Sequence, residues 1–117
     1  MTKIELGKKG EIYVQKYLEK LGYFIVARNF KCPYGEIDII GIDKNELVFI
    51  EVKTRCSKQY GEGREAVNKI KKKHIKKASN YFIYQNSLEN HYIRFDVVEV
   101  YFKKNKFWIY HLKNVLW

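Results

Sequence analysis

The chain has 117 residues, of which 46% are hydrophobic and 16% aromatic, and its formal net charge is +10. This composition suits one folded domain over residues 1–117 and excludes an intrinsically disordered chain. Apolar runs stay below the roughly 18 residues of a membrane span, and the charged start MTKIELGKKGE is unlike a signal peptide. We therefore expect a cytoplasmic protein, and the basic excess favours a polyanionic partner, nucleic acid before an anionic membrane surface.

The first predicted element is a helix over residues 3–21. Spacings of three and four residues define one apolar stripe, which contains Ile4, Gly7, Glu11, Val14, Leu18 and Leu21. Gly22 stands where a helix would end. An acidic residue within the stripe indicates that Glu11 packs toward a polar centre, but a glutamate that reaches solvent from the stripe's edge fits equally well.

Five strands and a second helix are predicted after it. In chain order these are strands 23–30, 36–42 and 46–54, a glycine-containing loop 55–63, a helix 64–85, and strands 92–102 and 106–112. The second and third strands carry apolar residues on both faces, which is typical of interior strands. The order α-β-β-β-α-β-β predicts an α/β fold, with a mixed five-stranded sheet flanked by helices.

The second and third strands bring two carboxylates together. A two-residue turn at Lys44–Asn45 would place Asp38 directly opposite Glu51, with their Cβ atoms roughly 5 Å apart. The next pair along would be Glu36 and Lys53. Buried like charges repel each other, and a divalent cation such as Mg²⁺ would remove the conflict, since it prefers carboxylate oxygens.

Lys53 lies two residues beyond Glu51 on the same strand face. A lysine there can contact a phosphate or position an attacking water. Glu-x-Lys alone is a common pattern of solvated strands, and an ion-pair network among Glu36, Lys53 and Glu51 is the competing account. The opposed Asp38 favours a functional centre, because buried unpaired charges are costly.

These motifs resemble a known family of proteins. Asp38 followed by Glu51-Val52-Lys53 is similar to the D…(E/D)xK signature of restriction-endonuclease-like, PD-(D/E)XK, nucleases. The chain resembles more closely the YraN family of bacterial proteins. The segments that carry this resemblance are GKKGE at 7–11, RNF at 28–30, GEIDII at 35–40, VFIEVKTR at 48–55 and RFDVV at 94–98.

The resemblance implies a restriction-endonuclease-like fold related to archaeal Holliday-junction resolvases. It also implies a catalytic site at Glu11, Asp38, Glu51 and Lys53. In that site Asp38 and Glu51 bind Mg²⁺ or Mn²⁺, Glu11 assists as a third carboxylate through water, and Lys53 supports the water or the phosphate.

Basic residues in the loop and the second helix are candidate contacts to the phosphates of a nucleic acid. They are Arg55, Lys58, Arg64, Lys69, Lys72, Lys73 and Lys76, with Tyr60 as a residue that can stack on an unpaired base. A merely solvated cationic helix face is the alternative.

The leading hypothesis is a Mg²⁺-dependent endonuclease that acts on DNA, and on branched or structured DNA in particular. Two other functions remain open: a non-catalytic nucleic-acid-binding module with the same fold, and an adaptor for another DNA-processing protein. Cutting a junction needs two active sites, so a homodimer is expected by analogy alone.

Overall fold

The computed structural model describes residues 1–55 and 69–115, with Lys69 described by its backbone alone. Its elements are α1 (Lys3–Lys20), β1 (Phe24–Cys32), β2 (Gly35–Asp43), β3 (Glu46–Arg55), α2 (Lys69–Gln85), β4 (Tyr92–Lys103) and β5 (Lys106–Leu112). The five strands form one sheet in the order β1-β2-β3-β4-β5. Strands β3 and β4 are parallel and the other neighbours antiparallel. The predicted α/β class and mixed sheet are confirmed. The predicted loop beyond Arg55 and the first residues of the predicted second helix lie outside the described residues.

Two Lys-Asn turns set the register of two hairpins. Lys44–Asn45 joins β2 to β3, with Lys44 at φ 59°, and places Ile40 opposite Phe49 as predicted. Lys104–Asn105 joins β4 to β5 with φ angles of 51° and 60°. Two successive positive φ angles are typical of the tight turns whose twist matches that of the flanking strands.

The predicted ladder between β2 and β3 ends earlier than expected. Its last pair is Ile39 opposite Ile50, so the predicted backbone pairing of Asp38 with Glu51 is wrong. The backbone N–H of Val52 instead donates to the Asp38 carboxylate at 2.8 Å. A side chain thus takes the hydrogen bond at the point where the strand pairing stops.

The sheet separates two hydrophobic cores, one beneath each helix. The core beneath α1 contains Val14, Leu18, Tyr23, Ile39, Val48, Ile50, Val52, Val98 and Val100. The core beneath α2 contains Ile37, Ile40, Leu47, Phe49, Ala78, Phe82 and Ile83. Strand β3 supplies side chains to both, as predicted for an interior strand. No helix among the described residues has the length and hydrophobicity needed to cross a membrane.

The buried stripe of helix α1 shares Val14 and Leu18 with the predicted one but is otherwise rotated from it. Its buried residues are Leu6, Gly10, Val14 and Leu18, while Ile4 and Leu21 are exposed. The reason is a close approach of α1 to the sheet, since a Cβ atom on Gly10 would lie 2.2 Å from Thr54 Oγ1. Glu11 is therefore half-buried at the edge of the stripe.

Helix α2 also departs from the prediction at its beginning. The sequence places Ile70 and His74 on the inward side of this helix with Ala78 and Phe82, but Ile70 is 69% exposed and His74 is exposed. The buried side of the described helix begins at Ile75 and continues through Ala78 and Phe82.

A buried charge network closes the end of the sheet near the Lys44–Asn45 turn. Arg94 donates to Asp96 at 3.0 and 3.1 Å, to Asp43 at 3.2 Å, to Glu46 at 2.9 Å and to the hydroxyl of Tyr23. Burial opposes the charge of Arg94, but its hydrogen bonds and attraction to Asp96 raise its pKa overall. Arg94 and Asp96 share one strand face in the sequence pattern, which predicts a structural pair, and the structure confirms it.

Asp96 has further partners that hold it ionised. His111 Nε2 lies 2.7 Å from the Asp96 carboxylate, and the backbone N–H of Asn114 donates to it at 3.0 Å. Burial alone would raise the pKa of Asp96, but hydrogen bonds from His111 and Arg94 lower it. The Tyr17 hydroxyl lies 2.9 Å from His111 Nδ1, so the network extends to α1.

Replacement of Arg94 by Met should destabilise the protein by about 3–5 kcal/mol, because three carboxylates would lose their shared cation while Asp96 remains buried. Urea denaturation followed by circular dichroism measures this loss. The control is Lys106→Met, at an exposed lysine on β5, which should change the free energy of unfolding by less than about 0.5 kcal/mol. Equal stabilities of the two variants would contradict a structural role for the network.

Candidate metal centre

Asp38 lies in β2, one residue before Ile39, where the ladder with β3 ends. One oxygen of its carboxylate accepts the hydrogen bond from Val52, and this contact fixes the side chain beside β3. Burial raises the pKa of Asp38 to about 7, and the negative charge of Glu51 adds to the rise. The Val52 hydrogen bond opposes it. The Asp38 carboxyl group therefore keeps its proton up to about pH 7 when no cation is bound.

Glu51 lies in β3 and is 8% exposed. Its Oε1 atom contacts two ammonium groups, Lys53 Nζ at 3.4 Å and Lys71 Nζ at 2.9 Å. Lys53 therefore forms an ion pair with Glu51, which is one contact of the competing ion-pair network. The backbone pair of Lys53 with Glu36, expected from the predicted register, lies beyond the last pair of the ladder. Glu51 is the shared partner of one lysine from the sheet and one from α2.

The two lysines differ in how firmly they hold a proton. Burial and the neighbouring Lys71 lower the pKa of Lys53, although Glu51 works in the opposite direction. Burial also acts against the charge of Lys71, but its hydrogen bonds to Lys53 and Glu51 raise its pKa overall. Lys53 is therefore the lysine better suited to accept or relay a proton.

A cavity of about 330 Å³ opens onto Asp38, Glu51 and Lys71. Its lining consists of Gly35, Glu36, Asp38, Glu51, Lys71, His74 and Ile75. Carboxylates from β2 and β3 and a lysine from α2 thus face one space. Perturbed carboxyl and lysine pKa values in one concave site are typical of functional centres.

Glu11 lies in a neighbouring groove on the α1 side. This groove contains Glu11, Arg28, Asn29 and Glu36, and Glu36 also lines the cavity beside Asp38. Burial raises the pKa of Glu11, Arg28 lowers it, and Glu51 raises it further. The negative charge of Glu51 therefore reaches Glu11, which lines this neighbouring groove and not the cavity beside Asp38.

Asp38 and Glu51 offer the carboxylate oxygens that a divalent cation prefers, but a third carboxylate does not complete a cage around them. Within residues 1–55 and 69–115, no group of three or more His, Cys, Asp or Glu side chains is arranged to hold a metal ion. Asp38 and Glu51 form a pair instead, and the contacts above use one oxygen of each. Mg²⁺ often binds through one or two carboxylates, with water and substrate phosphate as its other ligands. The pair fits that pattern, whereas the structure does not bring Glu11 into a direct ligand set.

The predicted nucleic-acid contacts are only partly described. Lys58, Tyr60 and Arg64 lie outside the described residues, as does the side chain of Lys69. Arg55, at the end of β3, and Lys72 are half-buried, whereas Lys73 and Lys76 are exposed on α2. These exposed lysines remain candidates for phosphate contacts.

Lys71 is the residue that the sequence pattern missed as part of the centre. The predicted helix contained Lys71 as one of several lysines, and nothing in its spacing separated it from Lys72 or Lys73. The only usable signal was charge balance, because two buried carboxylates with one lysine leave a negative charge that a second cation can offset.

The geometry defines a mixed α/β domain with a buried carboxylate–lysine centre at one end of its sheet. Residues 10–100 match a protein family described as "Uncharacterised protein family UPF0102". A UPF0102 protein of Caldicellulosiruptor saccharolyticus is 46% identical over 86% of each chain. One of Carboxydothermus hydrogenoformans is 41% identical over 99% of this chain and 98% of its own. The chain therefore belongs to the UPF0102 family.

Replacement of Asp38 by Asn should stabilise the metal-free protein above neutral pH. The folded state holds the Asp38 proton up to about pH 7, whereas the unfolded chain releases it near the ordinary value of 3.8. Asp38 therefore costs stability progressively as pH rises between these values, and the cost is complete above the folded pKa. The amide of the substituted asparagine carries no charge and escapes this cost.

Urea denaturation in EDTA should show an advantage for Asp38→Asn that grows by about 2 kcal/mol between pH 5 and pH 8. Glu89→Gln is the control, since Glu89 is an exposed carboxylate in the loop before β4. An advantage for Asp38→Asn that is constant with pH would show that Asp38 titrates normally.

Proposed function

We propose that this protein is a metal-dependent nuclease that hydrolyses phosphodiester bonds in DNA, with a restriction-endonuclease-like fold. The observation that carries the proposal is the pairing of two carboxylates, the half-buried Asp38 and the buried Glu51, with Lys53 beside them. The resemblance of Asp38 and Glu51-Val52-Lys53 to the D…(E/D)xK signature supports the same conclusion. The net charge of +10 supports a polyanionic substrate.

In this proposal Asp38 and Glu51 hold Mg²⁺ or Mn²⁺. The bound ion would supply Lewis-acid polarisation of the scissile phosphate and lower the pKa of water. Asp38 must lose its proton to bind, and its raised pKa couples binding to proton release. To bind the ion, Glu51 would give up part of its contact with the ammonium groups of Lys53 and Lys71.

The lysines and Glu11 complete the proposed site. Lys53, with its lowered pKa, orients the attacking water and takes up its proton. Lys71 keeps its proton and is suited to neutralise a phosphate oxygen once Glu51 turns to the ion. Glu11 acts from the neighbouring groove as a third carboxylate through water.

A non-catalytic nucleic-acid-binding module is the second candidate. The observation in its favour is that Lys53 and Lys71 already neutralise Glu51 without a metal. Such a network can persist for structural reasons alone, because breaking a buried ion pair is costly. In that case the cationic groups would bind DNA phosphates without cutting them.

Cleavage assays separate the two functions. The purified protein is incubated with linear duplex, single-stranded and four-way-junction DNA, in Mg²⁺, Mn²⁺ or EDTA. The nuclease proposal expects metal-dependent cutting, with at least about a 100-fold loss in Asp38→Asn and Lys53→Met, since each change removes a ligand or a proton-transfer group. Glu89→Gln and Lys106→Met, at exposed positions outside the cavity, should cut like the unmodified protein.

Gel-shift measurements of binding to the same substrates test for the non-catalytic module. DNA binding that is unchanged in Asp38→Asn, with no cutting on any substrate in either metal, would overturn the nuclease proposal in favour of the module. Cutting that survives in both Asp38→Asn and Lys53→Met would reject this centre as the active site.

A further inference from the structure

The cavity beside Asp38 and Glu51 continues along the surface into two others. It shares Gly35, Glu36 and His74 with a second cavity of about 530 Å³. The second shares Tyr34 and Lys77 with a third of about 450 Å³. The three therefore form one groove that leads away from the candidate metal centre.

One face of α2 follows this groove. Lys71, His74, Lys77, Tyr81 and Tyr84 recur at spacings of three and four residues, so they form one helical stripe. Lys71 contacts Glu51, and Tyr84 lies 13 residues further along the helix. At 1.5 Å per residue the stripe extends about 20 Å from the centre.

The far end of the groove is aromatic and basic. The third cavity is lined by Tyr34, Lys77, Asn80, Tyr81 and Tyr84. Tyr84 is 80% exposed and Tyr34 is 47% exposed. The rings of Tyr34 and Tyr81 meet edge to face with centroids 5.8 Å apart, and Gln85 donates to the Tyr81 hydroxyl at 2.9 Å. These contacts fix the position of Tyr81 in the lining of the cavity.

We propose that Tyr34, Tyr81 and Tyr84 form a stacking site for unpaired bases of a DNA strand whose backbone follows the groove to the metal centre. Exposed tyrosines beside lysines are the chemistry that binds single strands, with rings stacking on bases and ammonium groups contacting phosphates. Lys77 is the charged group in the lining of the third cavity, and in the lining of the second Lys31 and Lys77 outnumber Glu36. This charge favours a polyanion over an apolar protein segment.

The inference rests on the proposed function and makes its substrate more specific. Paired bases keep their faces inside the duplex and cannot stack on protein rings. A tyrosine site about 20 Å from the scissile phosphate therefore selects DNA with a single-stranded region next to the cleavage position. Branched, flapped or frayed DNA contains such a region.

Fluorescence anisotropy in EDTA tests the stacking site without any cleavage. Three labelled probes are used: oligothymidylate of about a dozen nucleotides, within the usual range of single-strand site sizes, a blunt duplex of equal length, and an abasic deoxyribose-phosphate oligomer. The variants are Tyr84→Ala and Tyr34→Ala, with Tyr84→Phe to retain the ring. Tyr92→Ala is the matched control, because Tyr92 is 75% exposed, pairs with Glu46 at the start of β3, and is not in the lining of any of the three cavities.

The proposal expects both alanine variants to bind oligothymidylate about 10-fold more weakly, since stacking contributes about 1–3 kcal/mol per base. Binding of the duplex and the abasic oligomer should change less than twofold, and Tyr84→Phe and Tyr92→Ala should bind all probes normally. Equal weakening for oligothymidylate and the abasic oligomer, or no weakening in either alanine variant, would overturn the stacking site. So would unmodified protein that binds oligothymidylate no more tightly than the abasic oligomer.

Cleavage assays then separate this inference from the nuclease proposal. Tyrosine-dependent binding of oligothymidylate in a protein that cuts nothing would reject the nuclease and leave the stacking site in place. Metal-dependent cutting of duplex and flapped DNA at the same relative rates in Tyr84→Ala and unmodified protein would reject the stacking site and leave the nuclease.

Discussion

The hydrogen bond from Val52 to the Asp38 carboxylate is the contact on which the candidate centre depends. In an unbroken antiparallel ladder, backbone groups would satisfy one another at this point. The ladder instead ends at Ile39 and Ile50, and a side-chain oxygen accepts the next N–H. Asp38 is therefore drawn toward β3, next to the strand that carries Glu51, and two carboxylates share one cavity.

That proximity has an energetic cost, which the surrounding charges offset only in part. Burial and like-charge repulsion favour a protonated Asp38, and Lys53 and Lys71 are drawn to Glu51. Strain and unfavourable charge that persist in a fold are concentrated where function requires them. A hydrophobic pair at these two positions would avoid the repulsion between the carboxylates. The presence of Asp38 and Glu51 instead agrees with a role in binding a cation or a substrate.

The sequence contained enough information for the order of the elements along the chain, for a mixed sheet and for the register of β2 against β3. Two-sided apolar strands and a short Lys44–Asn45 turn are local features, and they fix this register without knowledge of the helices. The point where the ladder ends was not predictable, because it depends on a side chain that competes with the backbone for Val52. The competition is settled only by three-dimensional packing.

The helices were harder to predict than the strands for a related reason. The buried stripe of α1 is set by the close approach of Gly10 to Thr54, a contact between residues far apart in sequence. Periodicity locates a stripe only to within part of a turn, so Ile4 was placed inside and Leu6 outside. The contact of Lys71 with Glu51 depends in the same way on where α2 crosses the sheet.

Strand β3 carries charged clusters at both of its ends, and they differ in kind. At one end Arg94 has three carboxylate partners, and the pKa shifts of Arg94 and Asp96 both favour the charged forms. At the other end the shifts of Asp38 and Lys53 both favour the neutral forms. The network around Arg94 stabilises its own charges, so it needs no further ligand to neutralise them.

A cluster whose pKa shifts favour the neutral forms loses stability when its groups ionise, and it therefore gains most from an added charged ligand that supplies the missing counter-charge. The same comparison also explains why the charge pattern alone was ambiguous. Asp96 beside Arg94 and Glu51 beside Lys53 are each an acidic and a basic residue two positions apart on one strand. Only burial and the additional partners, His111 on one side and Asp38 on the other, separate the structural pair from the candidate functional one.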